Sequence, residues 1–410
     1  DINTRPPKSV VYRGIMGLFI HFLKEDTGTK LLHITHAEDR PVMDGPTGFR
    51  EAKEVLNAAH EHIKGGGNSS HLTMKYDGSP AVIFGHHPEN GNFFVASKSA
   101  FNTTPKINYT SADIHKNHGH APGLVEKLNS ALKHLPKIAP KTGIYQGDLM
   151  YSEGDKTEEK GNATGHGGGV SFQPNTIKYT ARGEDAEKIK KSKLGIIIHT
   201  QYHGNDIPSL KADPHPDVHN FTQHPDVWKK SAVHDTRNVH YSDAHQEEFQ
   251  HHMDEAKKIH DENKDTMYKN TKTHRSDMIP TYINKTVRTD EVPSVEGLKK
   301  HITGIFRKAA DKMKTPAGRA RKMSISKEHL KHIDTHEDSY GHLFQLHHHL
   351  QSAKGVLVST LNQYQGGLEH HINGQTTTPE GFVVNHEGNP TKLVDRKEFA
   401  KANFLRMRSK

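Results

Sequence analysis

Six charged residues of the 410-residue chain stand inside or beside apolar runs. They are Lys75 and Asp77 in "KYDGSP", Lys98 in "VASKS", Asp148 in "YQGDLMY", Glu380 in "EGFVV" and Lys392 in "TKLVDR". A charge in that context costs free energy unless it meets an opposite charge or a ligand. These residue types suit nucleotide phosphates, because lysines offset the charge of a triphosphate while carboxylates hold a divalent metal ion that bridges its oxygens.

One lysine of such a site can also act as a nucleophile. Its amine attacks phosphorus only when deprotonated, and burial or neighbouring cations promote that state by lowering the pKa. The motif "KYDGSP" resembles the nucleotidyl-lysine motif, Lys-x-Asp-Gly, of the covalent nucleotidyltransferases. That family comprises the ATP- and NAD-dependent polynucleotide ligases and the mRNA capping enzymes.

Four later segments resemble the remaining motifs of that family in the same order. "YQGDLMY" is similar to the third motif, "LGIIIHTQY" to the aromatic-strand motif, "EGFVV" to the fourth and "TKLVDR" to the fifth. A tetrapeptide alone recurs by chance, so the resemblance depends on the order of the segments, and it covers residues 71–203 and 376–396. The leader "LLHITHAEDRPVMDGPTG" is also similar to ligase-like proteins of large tailed phages.

The resemblance implies a role for each residue. Lys75 would attack the α-phosphate of ATP, keep AMP as a phosphoramide and release pyrophosphate, while Lys392 would stabilise the charge that develops on that phosphate. Asp148 and Glu380 would hold Mg²⁺ or Mn²⁺, with Asp148 also near the ribose. The other nucleotide-binding positions would be Thr73 near the base with the backbone at Met74, then Asp77, Gly78 and Lys98.

Two departures from the family's pattern bear on catalysis. The third motif usually ends in Glu, and here it ends in Asp148, which is one methylene shorter. The fifth motif usually carries a second lysine where this chain has Val394. Arg396 or Lys397 is left to take the place of that lysine.

Three other features bear on the substrate. The middle strand lacks the family's aromatic-Asp pair, so His199 and Tyr202 are the candidates for base stacking. Ser79-Pro80 after the Lys-x-Asp-Gly motif is closer to RNA-ligase-like patterns. DNA ligases and capping enzymes normally continue into an OB-fold, whereas only "KEFAKANFLRMRSK" follows here, so we expect an RNA-ligase-like enzyme.

Strands and helices must position these residues. Apolar runs predict strands, with turns at Asn90-Gly91 and Glu387-Gly388, in "AVIFG", "NFFVASKS", "TGIYQGDLMY", "NTIKYTA", "LGIIIHTQY", "EGFVVN" and "PTKLVDR". Helical periodicity predicts a helix around Phe49 to Ala59 that ends before Gly65-Gly66-Gly67. It also predicts stripes from Phe249 to Ile259 and from Leu298 to Met313, and a helix from Glu337 to about Leu361.

These patterns, with the resemblance, predict an α+β protein. Its nucleotidyltransferase core, of the ATP-grasp-like ligase adenylation type, would consist of two packed antiparallel sheets interrupted by a helical insertion. We expect an N-terminal leader with a helix over 1–70, the first part of the core over 71–203, a basic helical insertion over 204–350 and the C-terminal part of the core over 351–410. The C-terminal hairpin is expected to rejoin the first sheet.

Basic residues are concentrated in the predicted insertion. The formal net charge of +8 favours a polyanionic partner, since lysine and arginine gain affinity by releasing counterions from phosphates. The stretch from Lys299 to Lys331 contains only two acidic residues, Asp311 and Glu328. It presents either a solvated helix face or a clamp for a polynucleotide backbone. The candidates for phosphate contacts are Lys299, Lys300, Arg307, Lys308, Arg319, Arg321 and Lys322.

Two other residue types limit the possible chemistry. The chain contains no cysteine, which excludes disulfides, thiolate metal sites and cysteine nucleophiles. His329, His332 and His336 share a helical face, but the chain contains 36 histidines in scattered positions. A solvated face is therefore favoured there over a zinc site.

The favoured function is an ATP-dependent polynucleotide ligase that joins RNA or DNA strand ends through a lysyl-AMP intermediate and AMP transfer to a 5′-phosphate. Three alternatives remain: a DNA nick ligase, a GTP-using capping guanylyltransferase, and a non-catalytic nucleic-acid-binding or virion protein with a degenerate ligase-like core. The apolar patch from Ile15 to Leu23 is too short and interrupted to span a bilayer. We therefore expect a cytoplasmic protein without a membrane partner, in the host cytoplasm if it is viral.

Overall fold

The computed structural model describes residues 35–65, 70–161 and 168–396, which form an α+β fold. The predicted leader up to residue 34, with its apolar patch, lies outside the described residues, as do most of the glycine-rich segment "GNATGHGGG" and Lys397. The strands are β1 (Thr35–His36), β2 (Ser70–Lys75), β3 (Ala81–His86), β4 (Phe93–Ala96), β5 (Ile144–Ser152), β6 (Lys156–Glu159), β7 (Gly169–Phe172), β8 (Lys178–Arg182), β9 (Leu194–His203), β10 (Lys211–Asp213), β11 (Val227–Ser231), β12 (Glu369–Ile372), β13 (Gln375–Thr376), β14 (Gly381–His386) and β15 (Asn389–Leu393). The α-helices are α1 (Arg40–Ile63), α2 (Ser111–His118), α3 (Pro122–His134), α4 (Gly183–Lys191), α5 (Asp243–Arg275), α6 (Met278–Thr289), α7 (Val295–Asp311), α8 (Pro316–Thr335) and α9 (Glu337–Leu361).

The first sheet unites the two ends of the described chain in the order β1-β15-β14-β2. Its β14–β15 hairpin turns at Glu387 and Gly388, which both have positive φ as such tight turns require. Strand β14 pairs antiparallel with β2, in the register Gly381 to Lys75. The prediction that the C-terminal hairpin rejoins the sheet of the Lys75 strand is confirmed.

The second sheet has the order β10-β9-β5-β3-β4, with β11 parallel to the other end of β9. The β3–β4 connection contains the predicted Asn90-Gly91 pair, of which Gly91 has a φ of 70°. The third sheet, in the order β13-β12-β8-β7-β6, completes the fold. The prediction of two antiparallel sheets is thus wrong in number, and two pairings, β1–β15 and β9–β11, are parallel.

A short segment after β11 joins the first two sheets. The N–H of Met74 in β2 donates to the carbonyl of Ala232 at 2.7 Å, and the N–H of Ala232 donates to Ile198 in β9 at 2.9 Å. The N–H of His234 then donates to Leu72 at 2.9 Å. These bonds fix the end of β2 against the second sheet, which is the edge where the charged motif residues stand.

The helices α5 to α9 contribute buried residues to the same apolar core as the sheets. Helix α5 begins after Ser242, whose hydroxyl accepts from the N–H of His245, and its buried Phe249 stacks on His60 of α1 with ring centroids 4.5 Å apart. The predicted stripe from Phe249 to Ile259 and the bounds of the last helix are confirmed. Buried residues of α1, α5, α9 and the first and third sheets belong to one apolar cluster.

The helical region differs from the predicted insertion at both ends. Residues 204–242 contribute β10 and β11 to the second sheet, and α9 continues past residue 350 to Leu361. The sequence did not predict β10 and β11 because both segments are largely polar, and strands at a sheet edge need few apolar residues. In the described ranges, no helix combines the length and apolar character that a bilayer crossing requires.

Candidate functional site

Five of the six motif residues converge where β2 ends, and we call them the strand-end cluster. They are Lys75, Asp148, Glu380, Lys392 and Lys98, of which Lys98 comes from the segment that follows β4 and acts electrostatically on Lys392. Lys75 is the last residue of β2 and pairs in register with Gly381, so that Glu380 stands beside it. The Lys75 Nζ and the Glu380 Oε1 form an ion pair, with side chains 31% and 9% exposed.

Lys392 reaches the cluster from β15. Val383 of β14 pairs with Lys392 on one side and with Thr73 on the other. Directly opposed residues of a sheet share a face, and Lys75 lies two residues after Thr73, so Lys75 and Lys392 share that face. Burial lowers the pKa of Lys392, the charges of Lys75 and Lys98 lower it further, and Glu380 opposes this shift.

Asp148 enters from β5, against the turn that follows Lys75. A Cβ on Gly78 would lie 2.4 Å from the Cβ of Asp148, so only glycine lets the turn approach β5 this closely. The N–H of Ser79 donates to Leu149 O at 3.0 Å, which holds the turn in place. The Asp148 Oδ1 lies 3.7 Å from the His199 Nε2.

Asp77, by contrast, faces away from the open side of the cluster. Its Oδ2 accepts from the N–H groups of Thr176 at 2.6 Å and Ile177 at 2.9 Å, and its Oδ1 accepts from the Asn175 amide at 2.8 Å. Its own N–H donates to the Tyr179 hydroxyl at 2.7 Å. Asp77 thereby anchors the turn after Lys75 to the third sheet.

Glu380 is a buried carboxylate whose negative charge is only partly compensated by its neighbours. Burial raises its pKa, the ion pair with Lys75 only partly opposes this, and the nearby charges of Asp77 and Asp148 raise it further. Its Oε2 is buried and has no hydrogen-bond partner among the described residues. A buried polar atom in that state requires an explanation, and a bound cation or ligand is one.

The carboxylates of Asp148 and Glu380 fit a magnesium ion only in part. Both are oxygen donors of the kind that Mg²⁺ prefers. Within the described residues, however, no group of three or more histidine and carboxylate side chains could hold a metal ion by itself. A magnesium ion here would need water and substrate oxygens to complete its coordination, as it commonly does at nucleotide sites.

The remaining residues predicted to contact the nucleotide are mostly buried or bonded to other protein groups. The Thr73 side chain is buried, and its hydroxyl donates to Val383 O at 3.4 Å. The backbone N–H of Met74 is engaged by Ala232. Tyr202 is buried and donates its hydroxyl to Gln146, so of the two stacking candidates only the partly exposed His199 adjoins the cluster.

Arg396, a candidate for the role of the lysine that Val394 replaces, is held by groups outside the strand-end cluster. Its Nη1 lies 2.9 Å from both carboxylate oxygens of Asp39, and its Nη2 donates to Asn284 of α6 at 2.7 Å. The same buried network contains an ion pair between Lys354 of α9 and Glu38. Sequence reasoning missed this pair, although a lysine inside the apolar run "SAKGVLV" meets the criterion that identified Lys75.

Helices α7 and α8 pack as an antiparallel pair and contain all the candidate phosphate-binding residues. We call residues 295–335 the basic hairpin. Lys299 pairs with Asp334 at 3.0 Å and with Glu296 at 3.4 Å, and Lys300 lies 3.9 Å from Glu296. The exposed members of the candidate set are Lys300, Arg307, Lys308, Arg319 and Arg321, while Lys322 is half-buried.

The histidines of α8 bond to protein groups. His329 Nδ1 lies 2.9 Å from the Nε2 of His274, and His332 Nε2 lies 2.8 Å from the carbonyl of Asn270. His274 also contacts the hydroxyl of Tyr340. The ring nitrogens of His329 and His332 that form these bonds therefore face α5.

Comparison with known proteins gives one match. A family model described as "Family of unknown function (DUF6267)" matches residues 32–408. No curated protein and no solved structure matches significantly.

Proposed function

The chain belongs to the DUF6267 family, and we propose that it is an ATP-dependent polynucleotide ligase, RNA-ligase-like, that acts through a lysyl-AMP intermediate. Lys75 is the nucleophile and Lys392 stabilises charge on the α-phosphate. The proposal starts from the geometry of the strand-end cluster, since the family description names no activity.

The single observation that carries the proposal is the convergence of the motif residues. Lys75, Asp148, Glu380 and Lys392 come from four strands or strand ends in two sheets, yet they act electrostatically on one another. Charges with no shared task would be expected to point separately into solvent, because a charge in water avoids the free-energy cost of burial. Their convergence beside a partly exposed lysine supports a site for a phosphorylated ligand.

The first chemical step follows from the ion pair. Lys75 must become neutral before its Nζ attacks the α-phosphorus, and Glu380 Oε1 is in contact with it. Through this contact the Glu380 Oε1 accepts the proton and passes it to solvent, while the unpartnered Oε2 of the same carboxylate is left to face a metal ion. The N–P bond then forms as the bond to the β-phosphate oxygen breaks, and pyrophosphate leaves with that electron pair.

Lys392 acts on the same phosphorus. Its charge shares the face of Lys75 and is preorganised by β15, so it need not move as negative charge develops. Magnesium, bound by Asp148 and Glu380 with the nucleotide, would add charge to offset the triphosphate. Lys98 extends the positive potential towards the 5′-phosphate that receives AMP.

The nucleic acid is proposed to bind the basic hairpin through its phosphates. Exposed arginine and lysine side chains on α7 and α8 provide contacts that depend on charge and not on base sequence. Strand ends of RNA or DNA are then the acceptors of AMP and the groups that are joined.

Covalent labelling tests the proposal. The protein, a Lys75→Arg variant and a Lys211→Arg variant are incubated with α-labelled ATP or GTP and Mg²⁺, denatured and examined for bound label. Lys211 is an exposed lysine of β10 and serves as the matched control. We expect label from ATP on the protein and the control, and none on Lys75→Arg, because arginine keeps the charge but is not a nucleophile at neutral pH.

Other outcomes discriminate among the alternatives. Label from GTP alone would indicate a capping guanylyltransferase. A folded protein that takes no label and has the mass of the unmodified chain would contradict the proposal and favour the non-catalytic alternative. A mass increase of one AMP would show instead that the protein was purified in its adenylylated state.

A further inference from the structure

The positive charge of the chain is concentrated in one element. The basic hairpin contains eleven lysine and arginine residues and four acidic ones, a net charge of +7, whereas the whole chain has a net charge of +8. The rest of the chain has a net charge of only +1, although residues 397–410 contain five basic residues and one acidic residue. A positive field concentrated on the hairpin favours binding of a polyanion there.

The hairpin presents its charge along the length of both helices. Its helices of 17 and 20 residues correspond to about 25 and 30 Å of helix axis. Exposed cations occur along both helices, including Lys300, Lys308, Arg321, Lys327 and Lys331. Cations spread over that length suit a long and densely charged polyanion, and a double helix carries about one phosphate per 1.7 Å of its axis.

The hairpin lacks what a single strand would need. Proteins that hold single strands stack successive bases on exposed aromatic rings. The only aromatic residue of the Phe, Tyr or Trp type in the hairpin, Phe306, packs on His329 with ring centroids 5.2 Å apart. Among all described residues, the exposed large apolar side chains are Met43, Val233 and Val292, none of which is aromatic.

We infer that the basic hairpin is a docking surface for a nucleic-acid double helix, which it grips by its phosphate backbones. The inference rests on the proposed function and specifies the form of its substrate. The strand ends that reach the strand-end cluster are then ends or breaks within a duplex. Sequence preference at the hairpin is expected to be weak, because the contacts are to phosphates.

Binding without catalysis tests this inference. Fluorescence anisotropy of the full chain is measured with blunt, 5′-hydroxyl duplexes of RNA and of DNA and with unstructured single strands of equal nucleotide number. ATP and Mg²⁺ are omitted and the salt concentration is varied, so the result does not depend on lysyl-AMP formation. We expect a duplex to bind on the order of tenfold more tightly than a single strand, with a steep salt dependence.

A pair of matched variants locates the surface. The triple variant Lys308→Glu, Arg321→Glu, Lys327→Glu is compared with Lys116→Glu, Lys133→Glu, Lys141→Glu, whose exposed lysines lie on or near α2 and α3. Both change the net charge equally. We expect the hairpin variant to lose on the order of a hundredfold in duplex affinity and about three units of salt slope, and the control to lose far less.

Two results would overturn the inference. Single strands that bind as tightly as duplexes would show that the hairpin does not select a double helix. Equal losses in the two variants would show that the net charge, and not this surface, attracts the polyanion. Either result would leave the labelling of Lys75 as a separate question.

Discussion

Two lysine–glutamate ion pairs in this protein have the same chemistry and different surroundings. Lys75 and Glu380 join β2 to the start of β14, with side chains 31% and 9% exposed. Lys354 and Glu38 join α9 to the segment after β1, with side chains 3% and 0% exposed. Each glutamate leaves its Oε2 without a hydrogen-bond partner among the described residues, so an orphaned oxygen alone does not identify a site.

The difference lies in how the neighbouring charges are balanced. Around Glu38, burial would raise the pKa, but Lys354, with help from His36 and Arg396, outweighs it and the pKa is lowered. Around Glu380, burial prevails and the pKa is raised. The first pair is enclosed and its glutamate charge is balanced by neighbouring cations, which suits a structural role. The second pair has two further lysines beside it, Lys98 and Lys392, and an open side, which suits binding.

Removing the lysine of the enclosed pair should have the largest effect on stability. Lys354→Met would leave Glu38 buried without its main counter-charge, and the free energy of unfolding should fall by about 3–5 kcal/mol. Urea denaturation measures the change. The double variant Lys354→Met, Glu38→Leu should recover much of the loss, and a single variant as stable as the parent would contradict the structural role.

Removing Lys392, which lies beside the open pair, should lower the rate of the proposed reaction and not the stability. Lys392→Gln is expected to lower the rate of protein–AMP formation by about 10²–10³-fold, the usual cost of losing one preorganised charge-stabilising group. Rapid-quench labelling with ATP measures the rate, and Lys211→Gln is the control. The stability should change little or rise slightly, because the variant removes a partly buried charge that lies near Lys75 and Lys98. A large loss of stability with unchanged labelling would reverse the assignment.

The two glutamates should respond to pH in opposite directions. Since the pKa of Glu38 is lowered in the folded state, its carboxylate stabilises the fold above the ordinary pKa, and this contribution is lost as the pH falls through the lowered value. Glu380 has a raised pKa, so it is protonated at a higher pH in the folded state than in the unfolded state. Its buried negative charge destabilises the fold at neutral pH, and this destabilisation disappears as the pH falls.

Glutamine variants make that contrast measurable. At neutral pH, Glu38→Gln should cost about 1.5–3 kcal/mol of unfolding free energy, while Glu380→Gln should be neutral or slightly stabilising. Both differences from the parent protein should shrink on acidification. Urea titrations at a series of pH values would test this, and a loss of similar size in both variants at neutral pH would remove the distinction between the pairs.

The smallest effect is expected for Asp77. It adjoins the open pair, yet its carboxylate accepts three hydrogen bonds from residues 175–177. Like the enclosed pair, Asp77 is therefore held by protein groups. Asp77→Asn should lower stability by about 1–2 kcal/mol and leave the labelling rate per folded molecule nearly unchanged. A labelling defect as large as that of Lys392→Gln would assign Asp77 to the chemical step.

The elements that the sequence predicted well are those set by local interactions. The β14–β15 hairpin follows from Glu387-Gly388, which tolerates positive φ, and α9 follows from an apolar stripe that repeats at helical spacing. The strands of the motif segments follow from their apolar runs. Strands β10 and β11 were missed because edge strands need few apolar residues, and β11 also pairs with residues 194–198, far from it in the sequence.

Of the candidate site, the sequence by itself determined the residue types and the turn after Lys75, in which Gly78 is required by the close approach of Asp148. Only the tertiary structure decided their partners. In the folded protein Asp77 accepts hydrogen bonds from residues 175–177, and Arg396 pairs with Asp39. The pair of Lys354 and Glu38 is enclosed, whereas the pair of Lys75 and Glu380 is partly open. The physical reason is that a backbone turn depends on adjacent residues, whereas the energy of a buried charge depends on every group that the fold brings within a few ångströms.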